Sequence, residues 1–74
     1  MPNIKWILQK ARVKPFVYLM DYSISKNEIT LTYIDQTAKK FDTKLEASYY
    51  AARVFEETNI VWEPRAIAWE ENQP

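Results

Sequence analysis

Apolar and polar residues alternate over three segments in the first half of the chain, and alternation with a period of two is typical of β-strands. The pattern predicts strands over Ile4–Val13, Phe16–Ile24 and Glu28–Asp35. In the second of these, every other residue is large and apolar and is expected on one face: Phe16, Tyr18, Met20, Tyr22 and Ile24. Its other face is apolar too, as in a central strand. Ser25-Lys26-Asn27 predicts a hairpin turn between the second and third strands.

The segment Phe41–Asn59 has the spacing of an amphipathic helix. Thr43 and Glu46 form a T-x-x-E capping box at its start, and Asn59 suits a left-handed stop at its end. Apolar residues recur at four-three-three spacing on one helical face: Leu45, Tyr49, Ala52 and Phe55. Ala47, Ala51 and Val54 widen this stripe. The pattern therefore predicts a helix that packs across a sheet through the widened stripe.

A final strand is predicted over Ile60–Glu71, interrupted by Pro64 and therefore placed at a sheet edge. The element order is β-β-β-α-β. It predicts a small α+β fold, with an antiparallel-rich sheet and one helix packed on one face, in a single domain over residues 1–74. A right-handed crossover from the third strand would run the fourth strand parallel to it, beside the third or the first strand. The first strand is the favoured neighbour.

The amino-acid composition limits the classes of function that the chain can have. Ten basic and ten acidic residues cancel, which argues against a general nucleic-acid binder. The chain contains no His and no Cys, so the usual general base, zinc ligands and thiolate nucleophile are missing. We therefore expect no enzymatic activity, no catalytic residue, no metal and no cofactor. No apolar run has the length of a membrane span and no signal peptide is visible, so the cytoplasm is the expected location.

Charge is unevenly distributed along the chain. The last third carries five glutamates: Glu56, Glu57, Glu63, Glu70 and Glu71. They suggest a partner protein with a surface rich in Lys and Arg, such as one that normally holds DNA; plain solvation is the alternative. The first strand is basic, and Lys5, Trp6, Lys10 and Arg12 could instead form a platform for single-stranded nucleic acid.

Eleven residues are aromatic. Because one helix covers only one face of a sheet, some aromatic side chains should stay exposed or be buried in a partner, and Tyr50 and Trp69 are the leading candidates. A chain of this length buries little surface and is marginally stable alone. A second subunit would add stability, so a homodimer is expected.

The run Ala38–Glu63 resembles very small proteins of phages that infect low-GC Gram-positive bacteria. The resemblance is carried by an A-x-x-F-x-T-x-x-E-A helix entrance, here Ala38, Phe41, Thr43, Glu46 and Ala47, followed by the I-V-W-E start of the last strand. In length and overall character, the chain is similar to the sliding-clamp inhibitors of Twort-like staphylococcal phages.

This resemblance implies a non-enzymatic inhibitor that binds the host's replication clamp, blocks its use of DNA and shuts down host replication. One route is a peptide in the clamp's hydrophobic cleft; the only similar run, Gln36–Phe41, lacks the Leu of the Q-x-x-L-x-F pattern. The other route is DNA mimicry, in which the acidic residues enter the clamp's basic channel, and this route is favoured. The alternatives are a small nucleic-acid-binding module and an inhibitor of another host or antiviral protein, such as a CRISPR nuclease.

The DNA-mimicry hypothesis makes a prediction about the end of the chain. Reversing the charges of Glu70 and Glu71 together should weaken clamp binding and lower its dependence on salt, because fewer favourable charge pairs would remain to be screened. Binding isotherms measured at two ionic strengths check this. Unchanged affinity and salt dependence would reject the channel route.

Overall fold

Four strands form one antiparallel sheet, and one α-helix packs on it. The structure is a computed structural model that describes residues 3–23, 25–26 and 28–69. The elements are β1 (Asn3–Lys10), β2 (Tyr18–Ser23), β3 (Glu28–Thr32), α1 (Lys44–Thr58) and β4 (Trp62–Trp69), with a short 3₁₀ helix at Asp35–Thr37. The strand order is β3-β2-β1-β4. The predicted fold class and element order are confirmed.

The first strand is shorter than predicted. It ends at Lys10 rather than Val13, and β2 begins only at Tyr18. Arg12 has a φ of 60°, which is outside the extended region and turns the chain out of the strand. The loop that follows contains a cis peptide bond between Lys14 and Pro15.

A β-bulge changes which residues of β2 share a face. Leu19 pairs with Leu31 and Asp21 pairs with Thr30, and the register shifts between them at Met20. The extra residue places Leu19 and Tyr22 in the same core cluster, while Tyr18 belongs to another. The predicted common face for Tyr18 and Tyr22 is therefore wrong. The predicted Ile24 and the turn residue Asn27 lie outside the described residues.

The segment Ala38–Phe41 is inserted between β1 and β2. Trp6 and Phe41 exchange two backbone hydrogen bonds of 2.8 Å, and the amide of Lys39 donates to the carbonyl of Leu19 at 3.0 Å. At the other end of the two strands, Gln9 pairs directly with Tyr18. The strands β1 and β2 are thus joined to each other at one end and separated by the inserted segment at the other.

The last strand lies beside β1, as favoured from the sequence, but its predicted direction is wrong. It runs antiparallel to β1, from Asn3 opposite Trp69 to Lys10 opposite Trp62. A right-handed crossover would have made it parallel. The reason for the difference is the inserted segment, which itself runs antiparallel to β1 at Trp6 and so adds one reversal of the chain before α1 begins.

The predicted helix ends are confirmed. The amide of Glu46 donates to Oγ1 of Thr43 at 3.1 Å, so Thr43 is the N-cap. Asn59 takes the left-handed conformation with a φ of 62°, and its amide donates to the carbonyl of Phe55. These two residues set the limits of α1 at Lys44 and Thr58.

The predicted packing face of α1 is wrong in its main part. The buried helical residues are Ala47, Ala51 and Val54, whereas the leading stripe is exposed. The sheet already presents large side chains to the helix: Leu8, Leu19, Tyr22 and Trp62. The helix can approach them closely only with small residues, since interiors are packed to crystal-like density. The large helical residues therefore point outward.

A second, smaller cluster comprises Ile7, Tyr18, Ala38 and Ile67. Ile7 and Leu8 are both fully buried although adjacent residues of a strand point to opposite faces. The inserted segment contributes to both clusters, with Ala38 in this one and Phe41 in the one beneath α1. The sheet is therefore buried on both sides along β1.

Two valines of different burial test this arrangement. Val54 is 1% exposed on the inner side of α1, and Val61 is 51% exposed before β4. Val54→Ala should lower the free energy of unfolding by roughly 2 kcal/mol, from lost burial and a residual cavity. Val61→Ala should change it by less than about 0.5 kcal/mol. Urea denaturation measures both; equal losses would contradict the assigned helix orientation.

Candidate interaction surfaces

The outward side of α1 carries a continuous apolar stripe, here called the helix face: Leu45, Tyr49, Ala52 and Phe55. Leu45 is 80% exposed, Tyr49 68% and Phe55 45%. Their spacing keeps them on one side of the helix over three turns. Single exposed apolar residues are normal on a protein surface, but a contiguous set of this kind is typical of an interaction site.

Open clefts lie on both sides of the helix face. One, of about 500 Å³, is lined by Phe41, Leu45, Glu46, Tyr49 and Tyr50. The other, of about 320 Å³, lies between α1 and the start of β4 and is lined by Ser48, Ala51, Ala52, Phe55, Val61, Trp62 and Pro64. Both linings are mainly apolar. A partner could therefore contact the exposed side chains of the helix face and also place its own side chains in the two clefts beside them.

A second group of exposed apolar residues lies at the β3 side of the sheet, here called the edge surface: Met20, Leu31, Tyr33 and Ile34. Met20 is the bulged residue of β2, next to the position of Leu31, and Tyr33 and Ile34 follow β3 directly. In the part of the chain that the structure describes, β3 pairs with β2 alone and so leaves its outer backbone edge unpaired.

The two aromatic residues predicted to stay exposed or to be buried in a partner, Tyr50 and Trp69, are both partly buried. Tyr50 packs against the core below α1, 5.3 Å from the ring of Phe41, and its hydroxyl donates to the carbonyl of Tyr22 at 3.3 Å. The ammonium group of Lys40 lies 4.1 Å from the ring centroid of Trp69. The role of this pair in binding a partner stays a prediction. Tyr33 and Tyr49 are the strongly exposed aromatics instead.

Three of the five predicted acidic residues lie in the described part of the chain, and all three are exposed: Glu56, Glu57 and Glu63. Glu57 also accepts a hydrogen bond of 2.5 Å from the hydroxyl of Tyr22. Glu63 lines a cleft of about 400 Å³ together with two basic residues, Lys10 and Arg12. Glu70 and Glu71 lie outside the described residues. The role of these glutamates in binding a partner protein stays a prediction.

The basic first strand is largely engaged within the fold. Lys5 forms an ion pair with Asp42, and Trp6 packs against the main core with the ammonium of Lys44 at 5.9 Å from its ring. Stacking of nucleic-acid bases needs open aromatic faces. The arrangement therefore gives the nucleic-acid platform little support.

The predicted cleft-binding peptide, Gln36–Phe41, is part of the fold. Phe41 is 8% exposed, and its backbone is bonded to Trp6. A clamp cleft would need the terminal aromatic residue of such a peptide to be free. This segment could supply it only by leaving the sheet.

Sequence reasoning missed both apolar surfaces. The four-three-three spacing predicts the helix face as the main packing side. The available signal for the true packing side is the second stripe, with the small residues Ala47 and Ala51, which better matches a crowded sheet. For the edge surface, the signal was the sequence of β3, EITLT, which has no Lys or Pro to block an edge.

Comparison with known proteins adds no relative: no protein-family model, no curated protein and no solved structure matches the chain. Across the described residues, no three His, Cys, Asp or Glu side chains form a group that could hold a metal ion. No helix in the same residues is long and apolar enough to span a bilayer.

The Tyr22–Glu57 contact fixes the end of α1 to β2. The hydrogen bond to the Glu57 carboxylate, followed by burial, raises the pKa of Tyr22 above its ordinary value of about 10. A phenol with a raised pKa in the folded state contributes stability that is present below pH 10 and is lost as the pH rises through the folded pKa. The fold should therefore weaken in alkaline solution.

Replacing the acceptor tests this contact. In Glu57→Gln, Tyr22 should ionise closer to pH 10, because the negative charge beside the phenol is gone, and stability should fall less steeply above that pH. Glu56→Gln, which changes a neighbouring exposed carboxylate, is the matched control. Ultraviolet titration of tyrosine, combined with urea unfolding on both sides of pH 10, reads out both effects; identical profiles for the two variants would exclude the contact.

Proposed function

We propose that this chain is a non-enzymatic inhibitor that binds another protein, the DNA sliding clamp of a low-GC Gram-positive host, and blocks the clamp's use of DNA in the host cytoplasm. The observation that supports binding to another protein is the edge surface, where large apolar side chains are exposed beside an unpaired strand edge. The clamp as the target is taken from the resemblance of Ala38–Glu63 to phage clamp inhibitors.

The edge surface has the features of a binding site rather than of a protected strand. Edge strands of monomeric proteins are commonly blocked by Lys, Pro or inward charge. The strand β3 has Glu28 as its single charged residue, at its first position. Tyr33, 72% exposed, and Leu31 offer anchors of the kind that dominate interface energies. The surface could bind an apolar pocket or an extended strand of the partner.

The folded surface, rather than a linear peptide, is the proposed contact with the clamp. Ala38–Phe41, which includes the aromatic end of the Gln36–Phe41 run, is held between β1 and β2, and this supports the route that does not use the clamp's peptide cleft. The acidic residues of the last third would orient the chain toward the basic DNA channel. Of these residues, Glu56, Glu57 and Glu63 are exposed in the structure.

The proposal is tested by binding to purified clamp. Leu31→Ser combined with Tyr33→Ser should weaken the affinity at least tenfold, which corresponds to about 1.4 kcal/mol, because two apolar anchors are lost. Val61→Ser, at the opposite side of the sheet and also exposed, is the control and should bind normally. Biolayer interferometry gives the affinities, and a clamp-loading assay on primed DNA reports inhibition.

Several outcomes would contradict the proposal. Failure of the unmodified chain to bind clamp at micromolar concentration would reject the target. Equal effects of the edge-surface and Val61 variants would reject the edge surface as the contact. Direct binding to DNA that weakens steeply with salt would favour the nucleic-acid module instead.

A further inference from the structure

We infer that two copies of this chain associate through their helix faces, with the α1 helices packed antiparallel about a two-fold axis near residue 50. This inference concerns the helix face alone and does not depend on the clamp as the target. It assigns the larger exposed apolar stripe of the molecule to a second copy and leaves the edge surface free for another protein.

Two large apolar residues of the helix face, Leu45 and Phe55, are placed symmetrically about the middle of α1. Leu45 and Phe55 lie five residues before and after residue 50, so antiparallel packing places Leu45 beside the partner's Phe55 and the reverse. Their separation along the helix is about 15 Å at ~1.5 Å per residue. Ser48 and Ala52 occupy the centre, where small side chains let two helices approach closely.

Charged residues beside the stripe are also self-complementary. Glu46 and Arg53 are seven residues apart and therefore lie on one flank of α1, next to Tyr49; each lines a cleft that contains Tyr49 and Tyr50. A two-fold axis between antiparallel helices brings the same flank of both copies together. Glu46 then faces the partner's Arg53, at both ends of the interface.

The helix ends add to this match. In the antiparallel arrangement, the exposed Glu56 of one copy lies near the first turn of the partner helix, where the helix dipole favours negative charge. In a parallel two-fold pair, this flank would lie beside the partner's opposite flank, so Glu46 and Arg53 would not meet. The charge pairing of Glu46 with Arg53 therefore favours the antiparallel pair.

A second copy explains the pattern better than an unrelated partner does. A two-fold interface uses the same surface twice, so each feature must be complementary to another feature of the same surface. The pairs Leu45 with Phe55 and Glu46 with Arg53 both meet that requirement around one centre. One helix face buries less than the ~800 Å² per partner of a typical specific interface, so we expect a reversible monomer–dimer equilibrium.

Exchanging the charges of Glu46 and Arg53 tests the inference. Sedimentation equilibrium over a range of concentrations measures the mass of each variant. The average mass of the unmodified chain should rise with concentration from the 8.8 kDa of one copy toward twice that mass. Arg53→Glu places a carboxylate opposite Glu46 at both ends and should weaken dimerisation about tenfold or more. The double variant Glu46→Arg with Arg53→Glu restores opposite charges and should recover the affinity of the unmodified chain to within about threefold.

Lys26→Glu is the control, because it makes the same change in charge on the exposed β2–β3 turn. Circular dichroism melting of each variant shows that folding is retained. A mass of 8.8 kDa at every concentration would overturn the inference, as would equal effects of Arg53→Glu and Lys26→Glu, or no recovery in the double variant. Since no clamp is present in this experiment, its failure is separate from failure of the proposed function.

Discussion

The rest of the structure depends on the insertion of Ala38–Phe41 between β1 and β2. The segment fills the gap where the two strands separate. Backbone hydrogen bonds join Phe41 to Trp6 and Lys39 to Leu19. Because the segment runs antiparallel to β1, it determines where α1 starts and why β4 returns antiparallel beside β1. It also supplies one side chain to each core cluster. A chain with no glycine and no disulfide thereby ties its helix to the centre of the sheet.

The position of α1 determines which surfaces remain for other molecules. Below the helix, the sheet is filled by Leu8 and Trp62, so the helix contacts it through Ala47 and Ala51. The larger residues are displaced outward and form the helix face. The edge surface has a different origin, since a bulge at Met20 and the end of β3 leave apolar side chains beside an unpaired backbone. These two apolar surfaces are the basis of the two proposals, in which one surface binds a second copy and the other binds a target protein.

Sequence periodicity was sufficient for the elements and their order, because alternation, capping and turn residues act locally. Thr43 and Asn59 set the helix ends through hydrogen bonds to residues within about one turn. The direction of β4, the bulge in β2 and the buried side of α1 could not be predicted in this way. Each depends on contacts between residues far apart in the chain, such as Trp6 with Phe41. For the sites, aromatic content predicts an interface but does not decide which of two adjacent tyrosines is exposed: Tyr50 packs against the core, whereas Tyr49 is exposed.

Amide hydrogen exchange measured by NMR tests the inserted segment most directly. The amides of Trp6, Lys39 and Phe41 should be protected to the same degree as those in the centre of β1 and β4, because all three donate within the sheet. Exchange of the Lys39 and Phe41 amides at the rate of the exposed turn amides would contradict the insertion, since the segment would then lie outside the sheet.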